Sequence, residues 1–486
     1  MQEPFHMMSY SFKTTPYSHQ LECFEQSRDL KSYALLLDMG TGKTKISTDT
    51  AGWLFERGDI DFVLVVTPKG VTENWRPEIT KHLPERIARE VCVWKPSLTK
   101  SKREELHALA TPSEGVLKFL LMNVEAFSTS KGCTVAEYFL KSFRTLMVVD
   151  ESTTIKNRQS KRSKALCKLG GNAAFKRILT GSPVTRSPLD LYAQMYFLDP
   201  NILGFSSFYS FQARYAVVRR RSVGSHSFTE VMGYQRLDEL TDKLARNSFR
   251  IRKMDCLDLP DKVYTRREVE LTSVQKQAYL QMTELALTLL AGGKLSSTKN
   301  ALTQIMRLQQ ICLGHLTDDE GVVHELKSNR LKELLEVIEE LQGKAVIWAT
   351  WTRDIRSIAS ALQDRYGVDA VARLHGETPD NERQGIVESF QDTSSKLRFL
   401  VGHPKTGGHG LTLTAASCCI YYSNSYDLEL RVQREDRVHR IGQLNKVTYV
   451  DLISPGTVDE KIVKALRDKI NVADTILGEE LRKWLL

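Results

Sequence analysis

No apolar run in this 486-residue chain approaches the ~18 residues that a membrane-spanning helix needs, so no membrane insertion is expected. No basic segment leads into an apolar core behind Glu3, Pro4 and His6, which argues against a secretory signal and for a protein that stays where it is made. The eight cysteines never form Cys-x-x-Cys, and none stands at metal-ligand spacing from a histidine. They read as reduced, mostly structural thiols of a cytosolic compartment. Internal repeats and low-complexity tracts are missing as well. Acid is in deficit: 59 Asp and Glu stand against 68 Lys and Arg, a net charge of +9. That balance favours a polyanionic partner without distinguishing nucleic acid from an acidic membrane surface. At roughly 150 residues per domain, the length predicts about three domains.

The chain is organised around Leu35-Leu36-Leu37-Asp38-Met39-Gly40-Thr41-Gly42-Lys43-Thr44, an apolar strand that runs through a glycine turn into a helix. Gly40 and Gly42 let backbone N–H groups converge on phosphate oxygens, and the following helix adds the positive end of its dipole. Lys43 is then placed for the β/γ-phosphates and Thr44 for Mg²⁺. The strict eight-residue motif requires glycine five positions before Gly42, where this chain has Leu37. The match is to Gly-x-Gly-Lys-Thr alone, which also occurs as an ordinary turn before a helix.

Context decides between the two. Phe62–Val66, Leu117–Met122, Thr145–Val149 and Arg177–Leu179 are apolar runs of the kind that form parallel strands buried on both faces. They end in Thr67-Pro68-Lys69, Asn123, Asp150-Glu151 and Thr180-Gly181-Ser182-Pro183, so each polar cluster falls at a strand's C-terminal end, where open α/β sheets bind ligands. Asp150 can hold the shell of the metal and Glu151 can polarise an attacking water. Some twenty residues before the glycine turn, Gln20 is spaced to pair with an adenine edge, and Tyr17 to stack on the base.

From about residue 200 to 326 the pattern predicts long helical segments with basic runs at Arg219-Arg220-Arg221 and Arg250-Ile251-Arg252-Lys253, open to either a solvated face or phosphate contact. Ser222 to Ser227 reads as a mobile tip. A second α/β unit starts at Lys344–Thr350 and continues through Ala372–Gly376 and Leu397–Val401. It has no phosphate loop, but offers the glycine-rich Gly407-Gly408-His409-Gly410 ahead of Leu411–Thr414. Gln433, Arg437 and Arg440 stand at i, i+4 and i+7, one stripe if the segment is helical. Facing a phosphate loop, two such arginines would act as arginine fingers.

Taken in order, these segments resemble the two-lobed motors of helicase superfamily two, and within it the Swi/Snf-type remodelling ATPases. The resemblance covers about residues 17–465. It is carried by Val66-Thr67-Pro68-Lys69 with Asn74-Trp75, Asp150-Glu151 with Ile155-Lys156-Asn157, Leu179–Pro183, Arg437-Val438-His439-Arg440-Ile441-Gly442-Gln443 and Thr457-Val458-Asp459-Glu460-Lys461-Ile462. It implies an α/β fold of two RecA-like parallel-sheet lobes with a helical insertion between them and a C-terminal helical brace. The expected division is 1–200, 201–326, 327–455 and 456–486.

By the same resemblance ATP is held by Gln20, Met39, Gly40, Thr41, Gly42, Lys43 and Thr44, with Gly408 and Gln433 as neighbours. Thr44 and Asp150 hold Mg²⁺, and Lys43, Asp150, Glu151, Arg437 and Arg440 carry the catalysis. Pro68, Lys69, Asn123, Lys156, Thr350, His375 and Thr414 stand where the family touches the nucleic-acid backbone. Two departures bear on coupling: Ser152 and Thr153 replace the alanine and histidine usual after the acid pair, and Thr412 stands where the family has asparagine. The implied function is an ATP-driven, monomeric translocase on duplex DNA, acting at forks or branched junctions in replication, recombination or repair. An RNA or single-strand helicase, and a DNA-binding scaffold with a degenerate motor, are the alternatives. No nuclease, bromodomain, chromodomain or zinc module is expected, which disfavours nucleosome remodelling and favours the cytoplasm of a bacterial or virus-infected host cell.

Overall fold

The computed structural model describes residues 10–69, 71–96, 99–184, 187–223, 226–256, 259–291, 298–318, 320–376, 378–404, 411–425, 428–464 and 466. The chain divides into two compact units between Asp258 and Leu259.

The strands of the first unit are β1 (Ser32–Leu37), β2 (Phe62–Thr67), β3 (Ala88–Val93), β4 (Val116–Asn123), β5 (Thr145–Asp150), β6 (Phe175–Leu179), β7 (Ala216–Val223), β8 (His226–Tyr234) and β9 (Ser248–Ile251). Seven of them form one sheet in the order β3-β4-β2-β5-β6-β1-β9, with every pairing parallel. The apolar runs are continuous because both faces are covered. Leu64, Val66, Met147 and Val149 enter one core, whereas Val63, Val65, Leu146 and Val148 enter the other. Burying each such side chain contributes about 1.5–3 kcal/mol.

The second unit has β10 (Lys262–Glu268), β11 (His315–Thr317), β12 (Val323–Glu325), β13 (Lys344–Trp348), β14 (Val371–Leu374), β15 (Phe399–Gly402), β16 (Ala416–Tyr421) and β17 (Val447–Ile453). Six build a second all-parallel sheet, β10-β17-β16-β13-β15-β14. Its two faces likewise alternate, Ala345 and Ile347 in one core and Val346 and Trp348 in the other. These sheets are the centres of two RecA-like lobes. No helix among the described residues is long and apolar enough to cross a membrane.

The stretch 201–326 is not one helical block. β7 and β8 make an antiparallel hairpin, β9 completes the first sheet beside β1, and β10 enters the second beside β17. The Arg219-Arg220-Arg221 run therefore lies in a strand, where the preceding β-branched Val217 and Val218 favour extended chain. Ser222 pairs with Ser227 and Val223 with His226 at the end of the hairpin, and Gly224 and Ser225 lie outside the described residues. At the C-terminal end of the second unit residues 458–464 are helical, and Val458, Ile462 and Leu466 pack with Cys312. Buried Arg330 ties this segment down through Asp459 (2.8 Å) and the carbonyls of Leu452 (2.6 Å) and Tyr422 (2.9 Å). The rest of the expected brace lies outside the described residues.

Candidate functional site

The glycine turn follows β1 and leads into the helix Lys43–Glu56. Gly40 (φ 80°) and Gly42 (φ 99°) take left-handed backbone that L side chains rarely adopt. At Gly42 a Cβ would also stand 2.2 Å from Gln20 Nε2, so a side chain there would have to displace the Gln20 amide. Gln20 is buried on the helix Ser18–Ser27, with Nε2 donating to the Thr41 carbonyl (3.0 Å) and Oε1 accepting from Tyr17 N (3.1 Å). His19 Nε2 also meets the Thr41 carbonyl at 2.8 Å, and the Tyr17 ring stacks on His19. Gln20 is thus joined to the phosphate loop, as a brace of its backbone. Lys43 Nζ donates to the carbonyls of Leu37 (2.8 Å) and Asp38 (3.2 Å).

Asp38 receives Arg250 Nη1 on one carboxylate oxygen (3.0 Å) and the Lys253 N–H on the other (3.1 Å). Arg250 Nη1 also reaches the carbonyls of Leu36 (3.1 Å) and Gly181 (3.2 Å). The second basic run is therefore neither a solvated face nor helical at Arg250: this arginine sits on β9 and holds the strand ends that frame the loop. Sequence spacing gave no sign of this contact across more than two hundred residues.

Asp150 and Glu151 lie on the same edge of the sheet, with β6 between their strand and the strand of the phosphate loop. Strand spacing of about 4.8 Å puts β5 and β1 roughly 10 Å apart. Trp75 Nε1 donates to Asp150 Oδ2 (3.0 Å), and the Glu151 N–H to Asp150 Oδ1 (3.0 Å), which fixes the carboxylate plane. Glu151 has φ 48°, a conformation that costs a non-glycine residue about 1–2 kcal/mol and turns the chain sharply at the acid pair. The donor set of Thr44 and Asp150 consists of hard oxygens, as Mg²⁺ requires alongside phosphate.

The departure at Ser152 has a structural counterpart. Its buried Oγ donates to Gln194 Oε1 (2.6 Å), whose Nε2 donates to the carbonyls of Pro183 (2.7 Å) and Asp190 (2.8 Å). The acid-pair turn and the Thr180–Pro183 loop are thereby joined through one glutamine that the motif reading did not single out.

Pro68 and Lys69 follow β2, Asn123 ends β4 and Lys156 follows the acid-pair turn, all at this edge. Asn123 Oδ1 accepts from Ala126 N (2.9 Å), which commits it to capping a 3₁₀ turn. In the second unit Thr350 pairs with Ser423 Oγ (3.0 Å), and Thr414 Oγ1 accepts from Gln391 Nε2 (2.9 Å). His375 is buried after β14, its N–H bonded to Thr378 Oγ1. Gly407 to Gly410, including Gly408, lie outside the described residues.

Gln433 and Arg437 are buried on the helix Leu428–Val438. Arg440 is not on their stripe, because the helix ends at Val438. The chain turns there: Gly442 takes φ 95°, and Gln443 Nε2 gathers the carbonyls of Thr414 (3.0 Å), Ala416 (2.9 Å) and Val438 (3.0 Å). The Leu413 N–H bonds the Arg437 carbonyl (2.9 Å), tying the helix end to the segment that follows the glycine-rich loop. Arg431 on the same helix is buried over the Tyr421 ring, 3.4 Å from its centroid. It donates to both oxygens of Asp451 (2.6 and 3.2 Å), to Asn424 Oδ1 (2.8 Å) and to Glu435 Oε1 (2.9 Å). Glu435 Oε2 in turn takes Lys262 Nζ (3.2 Å) and Tyr264 Oη (2.5 Å) from β10.

Residues 23–315 match the SNF2-related domain, more than half of the chain. The chain belongs to the SNF2-related family. Residues 326–442 of this SNF2-related chain also match the helicase conserved C-terminal domain. It is 26% identical over 466 residues to the probable ATP-dependent DNA helicase CHR23 of Arabidopsis thaliana, covering 90% of this chain and 40% of that protein. To nuclear protein STH1/NPS1 of Saccharomyces cerevisiae it is 26% identical, over 90% of this chain and 33% of the relative. An uncharacterized ATP-dependent helicase of Mycoplasma pneumoniae is 24% identical, with coverages of 86% and 37%. The chain thus spans a third to two fifths of the length of these curated relatives. The solved SWI2/SNF2 ATPase core of Sulfolobus solfataricus in complex with dsDNA is 24% identical, covers 97% of this chain and 95% of its own, and superposes with a TM-score of 0.44.

Proposed function

We propose that this SNF2-related chain is an ATP-driven motor that translocates on duplex DNA as a monomer, in the cytoplasm of a bacterial or virus-infected host cell, and remodels forks or branched junctions in replication, recombination or repair. The observation that carries the reading is the shared sheet edge on which the Gly40–Thr44 loop, braced by Gln20, stands two strands from the Asp150–Glu151 turn. Lys43 exchanges its carbonyl partners for the β/γ-phosphate oxygens, and Met39 to Gly42 cradle those oxygens with main-chain N–H groups. Thr44 and Asp150 hold Mg²⁺, which when bound neutralises phosphate charge. Glu151 orients the attacking water, and Gln20 reads the adenine edge after giving up its bonds to the loop. Gln433 borders the nucleotide, and Gly408 approaches it by main chain. Arg437 and Arg440 stabilise charge on the transferred phosphoryl group, a contribution worth about 10³–10⁵ in rate. Pro68, Lys69, Asn123, Lys156, Thr350, His375 and Thr414 form the track for the phosphate backbone.

The test measures ATP turnover with duplex DNA, single-stranded DNA and RNA. Duplex should stimulate most, with the stimulation falling as salt rises. Lys43→Ala should abolish stimulated turnover while leaving DNA binding in place. Stronger stimulation by RNA or single strands would replace the duplex motor with an unwinding helicase, and no stimulation by any of them would leave a scaffold.

A further inference from the structure

Away from this edge, the first unit has an open cleft of about 390 Å³ between the helices Lys161–Leu169 and Leu191–Leu198. One wall carries Lys164 and Lys168, four residues apart and both exposed. The facing wall carries Tyr192 and Tyr196, also four apart, with rings stacked at 5.7 Å and Tyr196 39% exposed. That spacing sets successive groups on each wall about 5–6 Å apart. Phe208 closes one end, edge-on to Tyr192, and the Arg158 guanidinium lies over its ring at 4.3 Å. Among the described residues, none that lines the cleft is acidic. Cations on one wall and aromatic faces on the other suit a ligand that has negative charge along one side and flat rings along the other.

We propose that this cleft binds a single strand of nucleic acid, with phosphates along Arg158, Lys164 and Lys168 and a base against the exposed Tyr196, which the buried Tyr192 backs. Stacking of this kind tolerates any sequence, because every base has a π-face, and the cations make the grip salt-dependent. A duplex keeps its bases stacked inside and cannot use the aromatic wall, so the cleft selects single strands. The site stands independently of the duplex-motor reading: it requires only that a single strand be present, and it would let a motor working at a fork retain the strand displaced there.

The experiment uses the full chain and a fluorescent oligo-dT 20-mer, measured by anisotropy over a range of salt. Lys164→Glu/Lys168→Glu should weaken binding at least tenfold and lower the salt slope by about 1.4, two phosphates at ~0.7 each. Tyr196→Ala should cost about tenfold against oligo-dT and nothing against an abasic strand of equal length. A 5-iodouracil oligonucleotide should cross-link to Tyr196. Duplex-stimulated ATP turnover of the three substitutions should stay within twofold of the parent, which separates this site from the motor. All are exposed side chains, and unchanged melting checks the fold. Oligo-dT affinity unaltered by both variants, or cross-links that avoid Tyr196, would overturn the proposal. So would a poly-glutamate peptide that binds as tightly and loses its affinity in the same variants, since that outcome assigns the cleft to an acidic protein partner.

Discussion

In the first lobe Lys43 and Asp150 stand at strand ends and bond uncharged partners, Lys43 the carbonyls of Leu37 and Asp38, and Asp150 the Trp75 indole and the Glu151 N–H. In the second lobe Gln433 and Arg437 stand on a helix locked by buried ions, with Arg431, Asp451, Glu435 and Lys262 in one network. The two supports suit different tasks. Single bonds from a charged group to an uncharged partner, about 1.5–3 kcal/mol each, can be given up when a ligand replaces them one for one. A buried ion network resists such exchange, because losing one partner strands the others. The first lobe is therefore built to rearrange around a ligand, and the second to present a fixed cation.

The largest expected effect breaks that contrast directly. Arg431→Met leaves Asp451 and Glu435 buried without their guanidinium and should destabilise the second unit by about 3–5 kcal/mol. At about 2–4 °C per kcal/mol for a unit of this size, calorimetry should show a drop of roughly 6–20 °C. Glu151→Gln in the first lobe should shift melting by less than about 1 kcal/mol. Equal shifts from the two substitutions would erase the distinction.

A smaller effect sharpens it. Burial pushes the Asp354 carboxyl up to about 7, against the pull of Arg353 at 3.1 Å. A carboxyl with a raised value in the fold stabilises most when protonated, and that contribution is lost as pH rises from about 4 through 7. Asp354→Asn keeps a neutral side chain at every pH, so its melting temperature relative to the parent should rise between pH 4 and pH 8. Neighbouring His315, pushed down to about 4 by its burial and by Arg353, works in the opposite direction below pH 6.5, but it is common to both proteins. A difference that stays flat or falls with pH would refute the assignment.

The β2, β4, β5, β6, β13, β14 and β15 strands were legible because each has an apolar run, and the phosphate loop and acid pair because short motifs follow those runs. β3, β9 and β10 escaped, since Arg89, Glu90, Arg250, Lys262, Arg266 and Arg267 interrupt the hydrophobic pattern on edge strands with one neighbour each. Those same charges hid the boundary after Asp258 inside an apparently helical block. Gln194, Trp75 and Arg250 were not legible as site supports, because their contacts join positions 42, 75 and 212 residues apart. Nothing in the sequence singled out the buried Arg431 and Arg434, and Arg440 continues the stripe only if the helix runs on past Val438, where it ends.

The proposed function assigns Arg437 to the phosphoryl group transferred from ATP. Its most direct test is Arg437→Ala, with fluorescent-nucleotide affinity and duplex-stimulated turnover measured on the same preparation. Affinity within about threefold of the parent with turnover reduced about 10³-fold or more is the predicted result. Turnover within tenfold of the parent would contradict the account.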